Sequence, residues 1–238
     1  MILSHKHKFI YFKTTKTAGT STELALAPYC GENDVVTQVS FGERSMPHGH
    51  KHPVRNTTIK NDGKTEFVNH MNPVRVRRLI IYKYGKERGE EIWNTYHKIT
   101  NIRNPWSRVV SYWCYDIQSS NNLDANQSPL EDTFEEYVHN KKTKTGYRKI
   151  IHPFYEWVTV DSQVCIDRFI RFEHLQSDIN QLFDDLNLPK SILPTAKARV
   201  RKRTCGVAPY QEFYNSETKQ IVYDIFEDDI KYFNYEFR

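Results

Sequence analysis

No stretch of the 238-residue chain approaches the roughly 18 consecutive apolar residues that a membrane-crossing helix needs. The opening segment MILSHKHKFIYF also lacks the apolar core and cleavage site of a secretory leader. A chain without a membrane anchor, in the cytoplasm, is therefore expected. The four cysteines (Cys30, Cys114, Cys165 and Cys205) include no C-x-x-C pair, which argues against a zinc site and for buried, reduced thiols. Internal repeats are absent as well, and the length suits one sizeable core, so a single domain over residues 1–238 is expected. The net charge of +5 favours anionic partners such as nucleotides, acidic glycans or nucleic acid, without choosing among them.

Two stretches concentrate the chemistry. In KFIYFKTTKTAGTSTELAL (Lys8 to Leu26) an apolar strand runs into a turn built from Thr14, Thr15, Lys16, Thr17, Gly19, Thr20 and Ser21, which opens a helix ending near Pro28. A helix start leaves N–H groups unpaired and carries partial positive charge, so an oxyanion is held there favourably. Lys16 adds a charge and the hydroxyls add donors. The order of residues argues against an ordinary ATP or GTP loop: that loop reads G-x-x-x-x-G-K-[ST], whereas here the lysine precedes Gly19 and the first glycine is missing. The second stretch, YHKITNIRNPWSRVVSYW (Tyr96 to Trp113), repeats the strand, turn and helix pattern, with Pro105 at the helix start and Arg108, Ser111 and Tyr112 near one face.

These two loops resemble the signatures of sulfotransferases that use 3'-phosphoadenosine-5'-phosphosulfate (PAPS), in particular the carbohydrate-directed branch. TKTAGTS (Thr15 to Ser21) is similar to that family's PKTGGTS, with Thr15 in place of Pro and Ala18 in place of Gly. Arg103, Asn104, Pro105, Arg108, Ser111 and Tyr112 match RNPxxRxxSxY at every fixed position. IDRFIRFEHLQSDINQLFDDLNLP and the closing YNSETKQIVYDIFEDDIKYFNYEF extend the likeness to about four fifths of the chain, with 31–64 the least recognisable part.

The resemblance implies a three-layer, P-loop-like α/β fold and transfer of a sulfuryl group to a carbohydrate-type hydroxyl, leaving adenosine 3',5'-bisphosphate, without a metal. It implies that Lys16, Thr17, Ala18, Gly19, Thr20 and Ser21 hold the 5'-phosphosulfate and that Arg103 and Ser111 hold the 3'-phosphate. The basic run KARVRKR (197–203), with Arg201 and Arg203, is expected to close over the nucleotide or grip an anionic acceptor; a solvated charged loop is the alternative. Golgi members of the family carry a membrane anchor, which is not seen here.

A general base is also required. His70 is the leading candidate, placed after an expected short strand (Glu66 to Asn69) and before the Asn72-Pro73 helix start. His48, His50 and His52 in PHGHKHP are rivals; their alternation suggests metal ligands, but no further Cys/His cluster completes a shell, and a solvated loop is the plainer reading.

The rest of the chain alternates strand and helix signals: strands at Lys8 to Phe12, His97 to Ile102 and Ile166 to Phe172; helices through Val74 to Ile81, Glu87 to Tyr96, Leu175 to Leu186 and from Ser216. The expectation is an α/β fold around a mostly parallel sheet. Residues 31–64 read as a variable loop or insertion and 119–149 as a mobile, substrate-side region. Two other functions fit less well. A kinase would need magnesium ligands and a true nucleotide loop. A basic nucleic-acid- or glycan-binding module would need an exposed stacking platform, whereas the aromatics follow core periodicity and no nucleic-acid partner is expected.

Overall fold

A computed structural model describes residues 1–38, 54–60, 66–120, 133–141, 153–189, 192–193 and 208–238. They form two compact units, each assembled from two separate parts of the chain: 1–102 with 158–196, and 103–157 with 197–238.

The first unit is α/β. Its strands are β1 (Ile2–Ser4), β2 (Phe9–Phe12), β3 (Val35–Val36), β4 (His97–Ile102) and, after the small hairpin of β5 (Thr159–Val160) and β6 (Gln163–Val164), β7 (Arg168–Arg171). The central sheet has the order β3-β1-β2-β4-β7. Pairings β2–β4 and β4–β7 are parallel, while β1 pairs antiparallel with both β2 and β3. The sheet is thus mixed rather than mostly parallel. MILS forms a strand of its own because residues 5–8 turn the chain back, with Lys8 in the left-handed region (φ 52°), and set Ile2 opposite Tyr11.

Helices α1 (Gly19–Leu26), α2 (Pro73–Tyr84), α3 (Lys86–Thr95) and, beyond β7, a helix over Leu175–Asp185 flank this sheet. Ile2, Phe9, Tyr11, Leu26, Ile99, Ile170, Ile179, Leu182 and Phe183 are buried in one core cluster. α2 starts where a cap can hold it: the Asn72 side chain accepts the Arg75 N–H at 2.9 Å and Pro73 follows at the first helical position. The expected strand over Glu66 to Asn69 is replaced by a single bridge between Thr58 and Glu66, and Phe67, instead of alternating along a ladder, is fully buried.

The second unit is helical among its described residues: α4 (Pro105–Ser120), α5 (Phe134–Lys141), α6 (Phe154–Val158, its last residue falling in the first unit), and, counting the Leu175–Asp185 helix as α7, α8 (Ser216–Ile225) and α9 (Glu227–Phe233). Trp106, Val109 and Val110 pack with Phe134, Tyr137 and Val138 and with Ile221, Val222 and Phe226, apolar positions spaced along one side of each helix. Asn215 and Thr218 form a reciprocal capping box at the start of α8.

No helix among the described residues is long and apolar enough to cross a membrane. Cys30 and Cys165 are free thiols, pushed by burial up to about 12 and about 11, which keeps them protonated and unreactive. Cys114, by contrast, is disulfide-bonded, so the expectation of reduced thiols throughout is corrected. Pairing of cysteines depends on which Cβ atoms the fold brings together, which spacing along the chain does not encode.

Candidate active site

The loop between β2 and α1 is shaped by alternating backbone handedness. Lys16 (φ 62°) and Ala18 (φ 63°) are left-handed, whereas Thr17 between them and Gly19 after them are not. Alternation of this kind turns successive N–H groups toward one concave side, a nest for an anion. The nest leads directly into α1, whose first N–H groups have no intrahelical acceptor by position. Ala18 caps the helix without a side-chain bond and no acidic residue occupies its first turn. Partial positive charge is therefore gathered where the sequence placed it.

Holding this loop costs strain, and buried hydrogen bonds offset it. Thr14 Oγ1 donates to the Asn101 carbonyl at 2.5 Å and lies 2.9 Å from Thr17 Oγ1. Tyr11 donates to Asn101 Oδ1 at 2.6 Å, and Asn101 Nδ2 donates to Thr22 Oγ1 at 3.0 Å. Burial pushes the Tyr11 hydroxyl well above its ordinary range, so it stays a donor. Thr17 is fully buried, its hydroxyl engaged with Thr14; toward an anion it presents backbone, not side chain. Gly19 has a related reason: a Cβ there would lie 2.9 Å from Lys13 Cγ and 3.2 Å from the Thr14 carbonyl oxygen. Its bareness serves the closure of the loop upon itself.

Ala18 has no such excuse, since a non-glycine residue in this region costs about 1–2 kcal/mol. Ala18→Gly should raise stability by about 0.5–1 kcal/mol, the relief being partly offset by the greater freedom of glycine in the unfolded chain. Urea unfolding measures it; a lower midpoint would mean that the alanine methyl is needed for packing.

Behind the loop is a buried charge cluster. Glu23, in the middle of α1 and fully buried, is bridged to Lys13 Nζ at 2.6 Å and to the Met1 amine at 2.5 Å. Burial alone would raise the Glu23 carboxyl; the Met1 amine and Lys13 outweigh it and hold the group below its ordinary value.

His70 reaches the same loop. It has φ 55° in the turn before α2, and its Nδ1 lies 3.0 Å from the Lys13 carbonyl oxygen. A carbonyl only accepts, so Nδ1 carries the proton and Nε2 keeps its lone pair. Desolvation first, and then the charge of Lys13, pull the imidazole down to about 4. The residue is nonetheless exposed at its surface. A neutral ring of fixed tautomer, with an available lone pair, is the form in which a general base waits.

In the second unit, Arg103 and Asn104 precede α4. Asn104 takes the cap, its Oδ1 accepting the Ser107 N–H at 3.3 Å, and Pro105 follows it. Arg103 is 4% exposed, and its Nε and Nη2 donate to Ser107 Oγ at 3.1 and 2.8 Å. Ser107 was not singled out in the sequence, although it lies four residues from Arg103, a separation that one helical turn spans. Ser111 is half-buried one turn further along α4. Arg108 is buried, with its guanidinium 3.8 Å from the centre of the Phe154 ring.

Arg201, Arg203 and the rest of 197–203 lie outside the described residues, as do His48, His50 and His52 and most of 31–64 and 119–149.

The profile of one protein family, described as "Sulfotransferase family", matches residues 1–236. The chain belongs to the sulfotransferase family. Comparison with curated proteins returned no match, and comparison with solved structures returned none either.

Proposed function

We propose that this sulfotransferase takes PAPS as donor and transfers its sulfuryl group to a hydroxyl of a carbohydrate-type acceptor. The observation that carries the reading is the alternating backbone of Lys16 to Gly19 opening a buried helix, a cradle for the 5'-phosphosulfate in what we read as a P-loop-like fold. In this proposal Lys16 and the N–H groups of Ala18 to Ser21 face that group, while Arg103, oriented by Ser107, and Ser111 take the 3'-phosphate. A guanidinium fork suits a phosphate dianion.

The acceptor hydroxyl attacks sulfur as the bond from sulfur to the phosphate oxygen breaks. The hydroxyl proton passes to His70 Nε2, and the negative charge left on the phosphate is met by Lys16 and the helix start. The products are a sulfate ester and adenosine 3',5'-bisphosphate. All charge balancing in this scheme comes from side chains and backbone.

Calorimetric titration with adenosine 3',5'-bisphosphate, against AMP and against ATP with magnesium, tests the donor class. Clear preference for the bisphosphate is expected; preference for ATP with magnesium would favour a kinase instead. A sugar-acceptor screen with PAPS then follows.

The role of His70 has its own signature. Because the free imidazole is held near 4, kcat/KM for the donor should stay level as pH falls through 6.5 and decline only near 4. At saturating donor the acid limb should move up, since a bound anion favours the imidazolium. His70→Ala should bind the bisphosphate normally and lose about 10²–10⁴-fold in transfer. Full activity in that variant would place the base elsewhere.

A further inference from the structure

The first unit has a second polar hollow, at the edge of its sheet opposite the β2–α1 loop. It is an open depression of about 440 Å³ lined by His5, Asn33, Asn56, Lys83, Tyr84 and Arg88. His5 belongs to the turn that enters β2, and the β2–α1 loop leaves from the other end of that strand. The His5 ring is fixed at both nitrogens, 2.9 Å from the Tyr96 hydroxyl and 2.9 Å from the Tyr84 hydroxyl. Its charge neighbours are accounted for. Asp34 spends its carboxylate on Ser4 Oγ and on the N–H groups of Gly31, His5 and Lys6. Arg88 is paired with Glu91 at 2.5 Å.

Lys83 is different. Its ammonium donates to the Asn56 carbonyl at 2.7 Å and lies 5.9 Å from the centre of the Tyr84 ring, but it makes no ion pair with a carboxylate among the described residues. Burial pulls its pKa down. A partly desolvated ammonium whose hydrogen-bond acceptor is a neutral carbonyl, with no counter-charge among the described residues, is met favourably by an anion. The Asn56 amide is spent on the Glu32 and Asp34 carbonyls, which leaves the Tyr84 ring, the Asn33 amide and an ammonium with no carboxylate partner among the described residues, a set that matches a sugar bearing an anionic group.

We propose that this depression is a secondary binding site for an anionic sugar unit, one carrying a sulfate ester or a carboxylate, in which Lys83 meets the anion and Tyr84 the sugar face. The proposal deepens the sulfotransferase reading and rests on it: the acceptor chain would be held at a point remote from the reacting hydroxyl, so units already sulfated would anchor it.

The test is calorimetry on the full chain saturated with adenosine 3',5'-bisphosphate. The probes are a sulfated disaccharide, a uronate-containing disaccharide, an uncharged disaccharide and inorganic sulfate. Saturable binding of either anionic disaccharide, at least tenfold tighter than the uncharged one and weakened at least tenfold by Lys83→Gln, is expected; Lys16→Ala should leave it unchanged. Binding that Lys83→Gln does not alter overturns the site, as does equal binding of the uncharged sugar. Inorganic sulfate binding as tightly as the sulfated disaccharide overturns the sugar assignment. Because bisphosphate binding is recorded first, failure there is charged to the donor reading and failure of the sugar titration to this depression.

Discussion

Glu23→Ala should cost about 3–5 kcal/mol, the usual penalty when one partner of a buried ion pair is deleted. The buried Lys13 ammonium, 2.6 Å away, depends on this carboxylate and has no solvent to fall back on, whereas burial lowers the Met1 amine, 2.5 Å away, to about 6, so at neutral pH it is mainly a hydrogen-bond partner. For a domain of ordinary stability, about 5–15 kcal/mol in all, such a loss is a large fraction. Urea unfolding at neutral pH should show a much lower midpoint, with Glu23→Gln intermediate because it keeps an acceptor of the same shape. The damage should extend to function, since Lys13 also offers the carbonyl that orients His70. The pH dependence follows from the direction of the shift. Glu23 is held below its unfolded value, so its contribution is complete above about 4.5 and is lost as pH falls through the folded pKa. A midpoint within about 1 kcal/mol of the parent would show that the cluster carries no net stability.

Lys16→Ala should lower kcat by about 10²–10³-fold, the scale on which one donor at a developing oxyanion contributes. Affinity for adenosine 3',5'-bisphosphate should change much less, because the nest and the helix start remain. The distinction is physical: an interaction that strengthens as charge builds on the leaving phosphate appears in kcat, while one equal in ground and transition states appears in KM. The left-handed backbone at Lys16 adds a control. Lys16→Gly relieves that conformation yet removes the charge, so it should be as inactive as Lys16→Ala while being no less stable. A variant whose kcat matches the parent would remove Lys16 from the reacting centre.

Much of this was legible in the residues. The strand at His97 to Ile102, the cap at Asn72 with Pro73 after it, the helix start at Pro105 and the stripe of α7 through Ile179, Leu182 and Phe183 all follow from signals confined to a few neighbours. Less legible was the mixed sheet. MILS is too short to announce a strand, and only its pairing with both β2 and β3 makes it one. The short strand expected at Glu66 to Asn69 failed for the converse reason: a run with the right residues found only a bridge to Thr58.

By itself, the sequence determined that two strand-to-helix turns exist, which residues form them, and the sulfotransferase likeness, because turn and cap chemistry acts over three or four residues. Tertiary structure decided what each side chain does there. Thr17 turns inward to brace the loop, Gly19 is bare to clear Lys13, Arg103 rests on Ser107, and His70 takes its tautomer from a carbonyl 57 residues away in sequence. Hydrogen-bond partners and burial are properties of packing, and packing joins residues whose separation along the chain carries no information about it.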